Sequence, residues 1–126
     1  MTDKELRFID YAKQIKSLGY KVVVTNRPNS CYGWVINDKD QIGYFQLGDY
    51  GWGIRFSSIH KGTRDFGQGF MLDDWDEAKS EFTKEIVDRC FVHHPAWAKG
   101  NVGSIVKYSA KEYLDTYWDK KNLVEI

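Results

Sequence analysis

Near the start of the chain, apolar residues recur at helical spacing. Thr2 and Glu5 precede them as an S/T-x-x-E capping box, in which each side chain satisfies a free backbone N–H of the other residue. Gly19 follows them and can adopt the left-handed conformation that ends many helices. The pattern predicts an N-terminal helix whose buried face packs on a sheet through Phe8, Tyr11, Ala12, Ile15 and Leu18.

Four short runs rich in β-branched and aromatic residues come next, separated by residues typical of turns. They extend from Tyr20 to Thr25, from Cys31 to Asn37, from Gln41 to Leu47 and from Trp52 to Ile59. Parallel neighbours need a crossover of about a dozen residues, which these connections do not provide. The runs therefore predict a four-stranded antiparallel meander.

Two further helices are predicted after the strands. Asp74 and Glu77 form an acidic capping box for a helix from about Trp75 to Cys90, and Ser109 with Glu112 opens a shorter one. Strands followed by helices, without regular alternation, are typical of the α+β class. The 126 residues are predicted to form a single α+β domain: an N-terminal helix, a four-stranded antiparallel meander, then two helices packed on the sheet.

Composition changes this picture in two ways. Aromatic residues make up 16% of the chain, a density that suits half-buried sheet faces and recognition surfaces alike. The formal net charge is zero, although residues 1–71 carry a balance of +3 and residues 72–126 a balance of −3. A chain without a strong basic excess lacks the main determinant of non-specific nucleic-acid binding.

The aromatic residues of the strands are candidates for a binding surface. Period-two alternation divides them between two faces of the sheet. If the helices cover only one face, the other exposes an aromatic patch that marks a binding surface, and if they cover both faces the same residues are core. The sequence leaves both alternatives open. The candidate binding residues on the strands are Trp34, Tyr44, Trp52 and Arg55.

A glycine-rich loop from His60 to Phe70 is the second candidate. Glycine makes backbone N–H groups accessible, and together with Lys61 and Arg64 they would form a nest for a phosphate. Phe66 adds a ring on which a base could stack. The alternative is an ordinary long turn between the sheet and the second helix. The functional interpretation predicts a nucleotide or single-stranded nucleic acid at His60, Lys61, Arg64 and Phe66.

No catalytic, metal or membrane signature accompanies these candidates. The serines and cysteines lie outside the strand–turn–helix signature of nucleophilic catalysis. Cys90 and His93 are three residues apart, but zinc needs three or four such ligands. The chain also lacks an apolar stretch of about 20 residues and the apolar run of a signal peptide. We therefore expect a cytoplasmic protein that is not an enzyme, uses no cofactor or metal, and keeps both cysteines reduced.

Several segments carry a resemblance to a known group of proteins. Tyr32 to Trp34 and Ile42 to Gln46 form an aromatic strand pair, Ser58 to Lys61 contains a His-Lys pair, and Gly67 to Phe70 is a Gly-x-Gly-Phe motif. Over about a third of the chain, these segments resemble small uncharacterised accessory proteins of tailed bacteriophages.

The resemblance implies a phage protein made in the host cytoplasm, where small domains often bind and block host machinery. The predicted function is a non-enzymatic inhibitor or modulator of a host defence complex, such as an anti-CRISPR, or of a nucleic-acid-processing complex. It would act by protein–protein contact with a host protein or complex. The alternative is nucleotide or single-stranded nucleic-acid binding at the His60–Arg64 loop. The sequence does not predict an oligomeric state.

Overall fold

The computed structural model describes residues 2–26, 30–47, 53–59, 71–75, 82–92 and 109–126. The side chains of residues 57, 58, 71–75, 89, 92 and 117 are not described. In chain order, the elements are α1 (Asp3–Ser17), β1 (Lys21–Thr25), β2 (Tyr32–Ile36), β3 (Ile42–Leu47), β4 (Ile54–Ser58), β5 (Met71–Trp75), α2 (Lys84–Val92), α3 (Ala110–Tyr117), a short 3-10 helix (Lys120–Asn122) and β6 (Leu123–Glu125). The predicted α+β class is confirmed.

The strands form one antiparallel sheet in the order β5-β4-β3-β2-β1-β6. Strands β1 to β4 lie where the four predicted runs are, within two residues at either end. The prediction of a four-stranded sheet was nevertheless wrong, because β5 extends the meander and β6 returns to pair with β1. The pairing of Val24 with Val124 joins positions 100 residues apart, which local sequence patterns do not report.

The predicted start of the second helix was also wrong. Asp74 and Trp75 belong to β5, where they lie opposite Arg55 and Ile54 of β4. Pairing with an existing strand outweighs the acidic helix-start signal at this position. The helix begins at Lys84 instead, and the Thr83 hydroxyl accepts the N–H of Ile86 at 3.4 Å.

The N-terminal helix has the predicted ends. The Thr2 hydroxyl accepts the Glu5 N–H at 3.2 Å, and the Glu5 carboxylate accepts the Thr2 N–H at 3.2 Å. Gly19 has a φ of 106°, the left-handed conformation expected beyond the helix. The helix buries Phe8, Tyr11, Ala12 and Ile15.

Helices cover both faces of the sheet. On one face, α1 and α2 pack over a core in which Phe8 stacks on Phe45 with ring centroids 5.4 Å apart. On the other face, α3 packs over a second core centred on Trp34. The prediction of two later helices packed on the sheet did not specify a face, and α2 and α3 lie on opposite faces. The sheet is therefore the middle layer of three, and its covered faces determine which aromatic residues are accessible.

Helix α2 approaches the sheet closely at Gly43. A Cβ atom there would collide with Cys90 Sγ and would lie 2.8 Å from Cys90 Cβ, so only glycine fits beneath α2. The absence of a side chain on β3 thus sets how near α2 lies to the sheet.

Candidate functional site

Of the candidate binding residues on the strands, Trp34 belongs to the core. Trp34 is 0% exposed, and its ring centroid lies 4.4 Å from that of Trp118, which follows α3. Tyr113 of α3 adds a further ring at 6.4 Å. Because α3 covers Trp34, this residue cannot contact a partner from the surface. The sequence left open whether helices cover one face of the sheet or both. At Trp34, the structure shows that the second face is covered as well.

Tyr44 lies on the same face as Trp34 but is only half-buried. Its hydroxyl donates a hydrogen bond to Gln46 Oε1 at 3.0 Å. Burial raises the pKa of Tyr44 well above its ordinary value, and the neighbouring Tyr32 and Tyr113 raise it further. The Tyr44 phenol is thus held in its neutral form, in which it donates the hydrogen bond to Gln46.

Of the remaining predicted site residues, the structure describes Arg55 alone. Arg55 is half-buried on β4, opposite Gln46 of β3 and Asp74 of β5 in the backbone register. Trp52, His60, Lys61, Arg64 and Phe66 lie outside the described residues. The phosphate nest and its nucleotide therefore stay predictions. Among the described site residues, Trp34 and Tyr44 lie opposite each other on β2 and β3 with ring centroids 6.2 Å apart, and Arg55 lies on the neighbouring strand β4.

A compact turn joins β2 to β3. Asn37 Oδ1 accepts the backbone N–H groups of Lys39 at 3.0 Å and Gln41 at 2.9 Å. The Asn37 amide also donates to Gln41 Oε1 at 2.8 Å, which closes the turn on itself. This Asx-type bonding holds the turn in a single shape.

Asp40 attaches this turn to the start of α3. It has a φ of 57°, a left-handed conformation that Asp tolerates better than most residues. Its carbonyl accepts the Ala110 N–H at 2.7 Å and its carboxylate lies 3.5 Å from the Lys111 N–H. The next two N–H groups of the helix donate to Ser109 Oγ at 3.1 Å and to the Ser109 carbonyl at 3.0 Å. The start of α3 is thus bonded within the protein and is not an anion site.

Beside this attachment lies a groove of about 530 Å³, which we call the α3–β6 groove. Its apolar floor and walls come from both sheet and helix: Val23 (β1), Ile36 (β2), Ala110 and Leu114 (α3), and Leu123 (β6). Four acidic residues and three lysines surround the apolar area. An apolar centre inside a charged rim is the anatomy of a protein interface.

Two exposed ion pairs occupy much of the rim. Lys21 Nζ lies 3.3 Å from Glu125 Oε1, and Lys120 Nζ lies 3.0 Å from Asp115 Oδ1. Such exposed pairs contribute little to stability, because water and salt screen them. The other rim charges are Asp38, Asp40 and Lys111, so negative charge is in excess at the end of the groove next to the turn.

A smaller cavity of about 350 Å³ lies on the other side of the same turn. Within its lining, the Tyr20 hydroxyl donates to the Asp88 carboxylate, and Lys84 Nζ lies 5.3 Å from the centroid of the Tyr20 ring. Burial, and then the hydrogen bond to Asp88, raise the pKa of Tyr20 well above its ordinary value. The polar groups of this cavity are thus largely engaged with one another.

The described part of the chain contains two cysteines. Cys31 and Cys90 form no disulfide, and burial raises the pKa of Cys31, which lowers its thiolate fraction at neutral pH. Within residues 2–26, 30–47, 53–59, 71–75, 82–92 and 109–126, no group of three or more His, Cys, Asp or Glu could hold a metal ion. No helix in those ranges is both long and apolar enough to cross a membrane.

Compared with protein-family models, curated proteins and solved structures, the chain matches none of them. The resemblance to phage accessory proteins therefore stays a prediction. Sequence patterns also missed the α3–β6 groove. Its walls, Leu114 and Leu123, come together only through the pairing of β6 with β1, for which the sequence offers no signal beyond a short apolar run at Leu123 and Val124.

Proposed function

We propose that this protein is a small non-enzymatic binding protein that acts by protein–protein contact, with the α3–β6 groove as its contact site. The single observation that carries the proposal is the groove itself, in which an apolar floor is open to the surface and ringed by charges of both signs. The apolar floor supplies affinity, and the rim supplies orientation and selectivity.

The size of the groove supports a side chain as its occupant. A volume of about 530 Å³ lies within the range of sites that take small molecules or single side chains of a partner. Large apolar anchors that enter such pockets carry most of the binding energy in many complexes. The walls Leu114 and Leu123 would contact such an anchor from opposite sides.

The biological setting follows only from the resemblance described above. A phage protein of this kind would inhibit or modulate a host defence complex, such as a CRISPR effector, or a nucleic-acid-processing complex. The partner would then be a host protein or complex in the bacterial cytoplasm.

Site-specific crosslinking tests the proposal. A photoreactive amino acid placed at Leu114 should capture a bacterial protein, and the same group at Leu6 should not. Leu6 is a matched control, because it is a 54% exposed leucine on α1, outside the groove lining. The captured protein is then purified and its affinity measured for the Leu114→Asp and Leu6→Asp variants.

We expect Leu114→Asp to weaken binding at least about 30-fold, equivalent to the roughly 2 kcal/mol of an interface hot spot, and Leu6→Asp to leave it unchanged. Equal loss in both variants, or capture that does not depend on the position of the crosslinker, would contradict the proposal. Binding of a nucleotide instead of a protein would favour the alternative at the His60–Arg64 loop.

A further inference from the structure

The backbone of β6 has hydrogen-bonding groups that its neighbour β1 does not use. The Ile126 N–H donates to the Val22 carbonyl at 3.0 Å, and the Asn26 N–H donates to the Asn122 carbonyl at 3.0 Å. In an antiparallel pair, successive residues of a strand point their backbone groups alternately toward and away from the neighbour. The groups of Leu123 and Glu125 therefore point away from β1, toward the outer edge of the sheet.

Three of these outward groups have no hydrogen-bond partner among the described residues. The Leu123 N–H bonds to the Lys120 carbonyl within the 3-10 helix. The outward groups that are left are the Leu123 carbonyl and both the N–H and the carbonyl of Glu125. In the described part of the sheet, β6 is the last strand on this side. An edge strand of this kind is a template on which another strand can pair.

The edge and the α3–β6 groove adjoin each other. Leu123 and Glu125 lie opposite Thr25 and Val23 in the register, and their side chains line the groove. A strand added outside β6 would place the residues opposite Leu123 and Glu125 on the same face, with Cβ atoms about 5 Å from theirs. Backbone pairing and occupation of the groove mouth would therefore occur together.

The charges beside the edge select the side chains of such a strand. Leu123 favours an apolar neighbour, and the Glu125 carboxylate favours a basic one. Ile126 bonds to Val22 at the start of β1, and the neighbouring Lys21 pairs with Ile36 at the end of β2. The turn that follows Ile36 contains Asp38 and Asp40, which add negative charge at the end of the groove next to Glu125. The favoured sequence is therefore an apolar residue and a basic residue two positions apart.

We propose that the partner contributes an extended segment that pairs antiparallel with the outer edge of β6, with an apolar side chain opposite Leu123 and a Lys or Arg opposite Glu125. The inference rests on the proposed function, since it specifies what occupies the groove. The segment makes three backbone hydrogen bonds, two exchanged with Glu125 and one donated to the Leu123 carbonyl.

A model peptide tests this mode without knowledge of the partner. The probe is acetyl-Thr-Arg-Thr-Val-Thr-amide, in which Arg and Val lie on one face of an extended chain. When the probe runs antiparallel to β6, its Arg lies opposite Glu125 and its Val opposite Leu123. Amide NMR shifts of the protein should move at residues 123–126 and at Leu114 on titration. N-methylation of Val and Arg removes the donors to β6 and should weaken binding at least about tenfold, since each net hydrogen bond contributes about 1 kcal/mol. N-methylation of the central Thr removes an N–H that points away and is the matched control.

Variants of the protein test the same bonds. Glu125→Pro removes an N–H that faces away from β1, a position where proline is tolerated in an edge strand, and Glu125→Ala controls for loss of the Lys21 ion pair. We expect Glu125→Pro to lose peptide binding relative to Glu125→Ala while the sheet stays folded. Replacement of Arg by Glu in the probe should reduce affinity about fivefold.

The outcomes separate the two proposals. Absence of shifts at β6, equal binding of the N-methylated probe, or self-association of the protein through β6 would each overturn strand addition. The proposed function survives those results if the crosslinked protein still depends on Leu114. Loss of that dependence would refute the proposed function itself.

Discussion

Substitution of Gly43 by alanine should displace α2 from the sheet. The added Cβ would collide with Cys90 Sγ and would lie 2.8 Å from Cys90 Cβ, whereas carbon atoms in contact are normally about 3.5–4.0 Å apart. Overpacking of this kind costs about 1–3 kcal/mol, and the collision with Sγ places Gly43→Ala at or above the upper end. That cost is a large part of the roughly 5–15 kcal/mol by which a domain is stable.

A double-mutant cycle identifies the cause. Cys90→Ala removes Sγ and should by itself cost about 1 kcal/mol, the value of one buried methylene-sized group. In the Gly43→Ala background, Cys90→Ala should instead restore part of the lost unfolding free energy, which gives a coupling free energy of about 1–2 kcal/mol between the two positions. The remaining Cβ contact prevents full recovery.

Urea unfolding followed by tryptophan fluorescence measures all four proteins, since Trp34 and Trp118 are buried in the folded state. Gly33→Ala is the control, because its Cβ would lie 2.5 Å from the Val23 carbonyl oxygen, a backbone atom that Cys90→Ala cannot remove. If Gly43→Ala costs less than about 1 kcal/mol, or if the double variant equals the sum of the singles within about 0.5 kcal/mol, the contact is not what requires glycine.

Three further predictions concern the turn, the tyrosines and the rim. Asp40→Ala should lower the unfolding free energy by about 1–3 kcal/mol, because it removes the carboxylate beside the start of α3 and strains a backbone with positive φ. Asp40→Asn should cost much less, and chemical denaturation compares the two variants. The contribution of Tyr20 and Tyr44 to the unfolding free energy should be fully present below about pH 10 and fall above it, because both tyrosines ionise in the unfolded chain before they ionise in the folded protein. Unfolding titrations at several pH values should show a weaker fall in the Tyr→Phe variants. An unchanged fall would show that these tyrosines are not its cause. Lys120→Ala should change the unfolding free energy by less than about 1 kcal/mol, since its pair with Asp115 is exposed, and a larger loss would show that the pair is structural.

Local signals in the sequence predicted the elements whose ends are determined locally. Thr2, Glu5 and Gly19 define α1, and Ser109 caps α3 as expected. Turn residues placed β1 to β4 because a tight connection constrains its own flanking strands. In these cases the decisive hydrogen bonds join residues close together in the chain.

The errors arose where distant segments decide the structure. Asp74 resembles a helix cap until β4 lies beside it, and the pattern around Trp34 shows which residues share a face but not which face is covered. The groove depends on β6 meeting β1, so neither Leu114 nor Leu123 was a candidate. Local patterns therefore predict most of the sheet and little of the site.

The position of β6 beside β1 also bears on how the protein is made. During synthesis, β1 to β4 emerge and can pair before Leu123 leaves the ribosome, since 65 residues separate Ser58 from Leu123. Throughout that interval β1 has an open edge of the kind that invites pairing between nascent chains. Leu123 to Glu125 cover the edge of β1 once they emerge, so an edge formed early in synthesis is covered by a segment made much later.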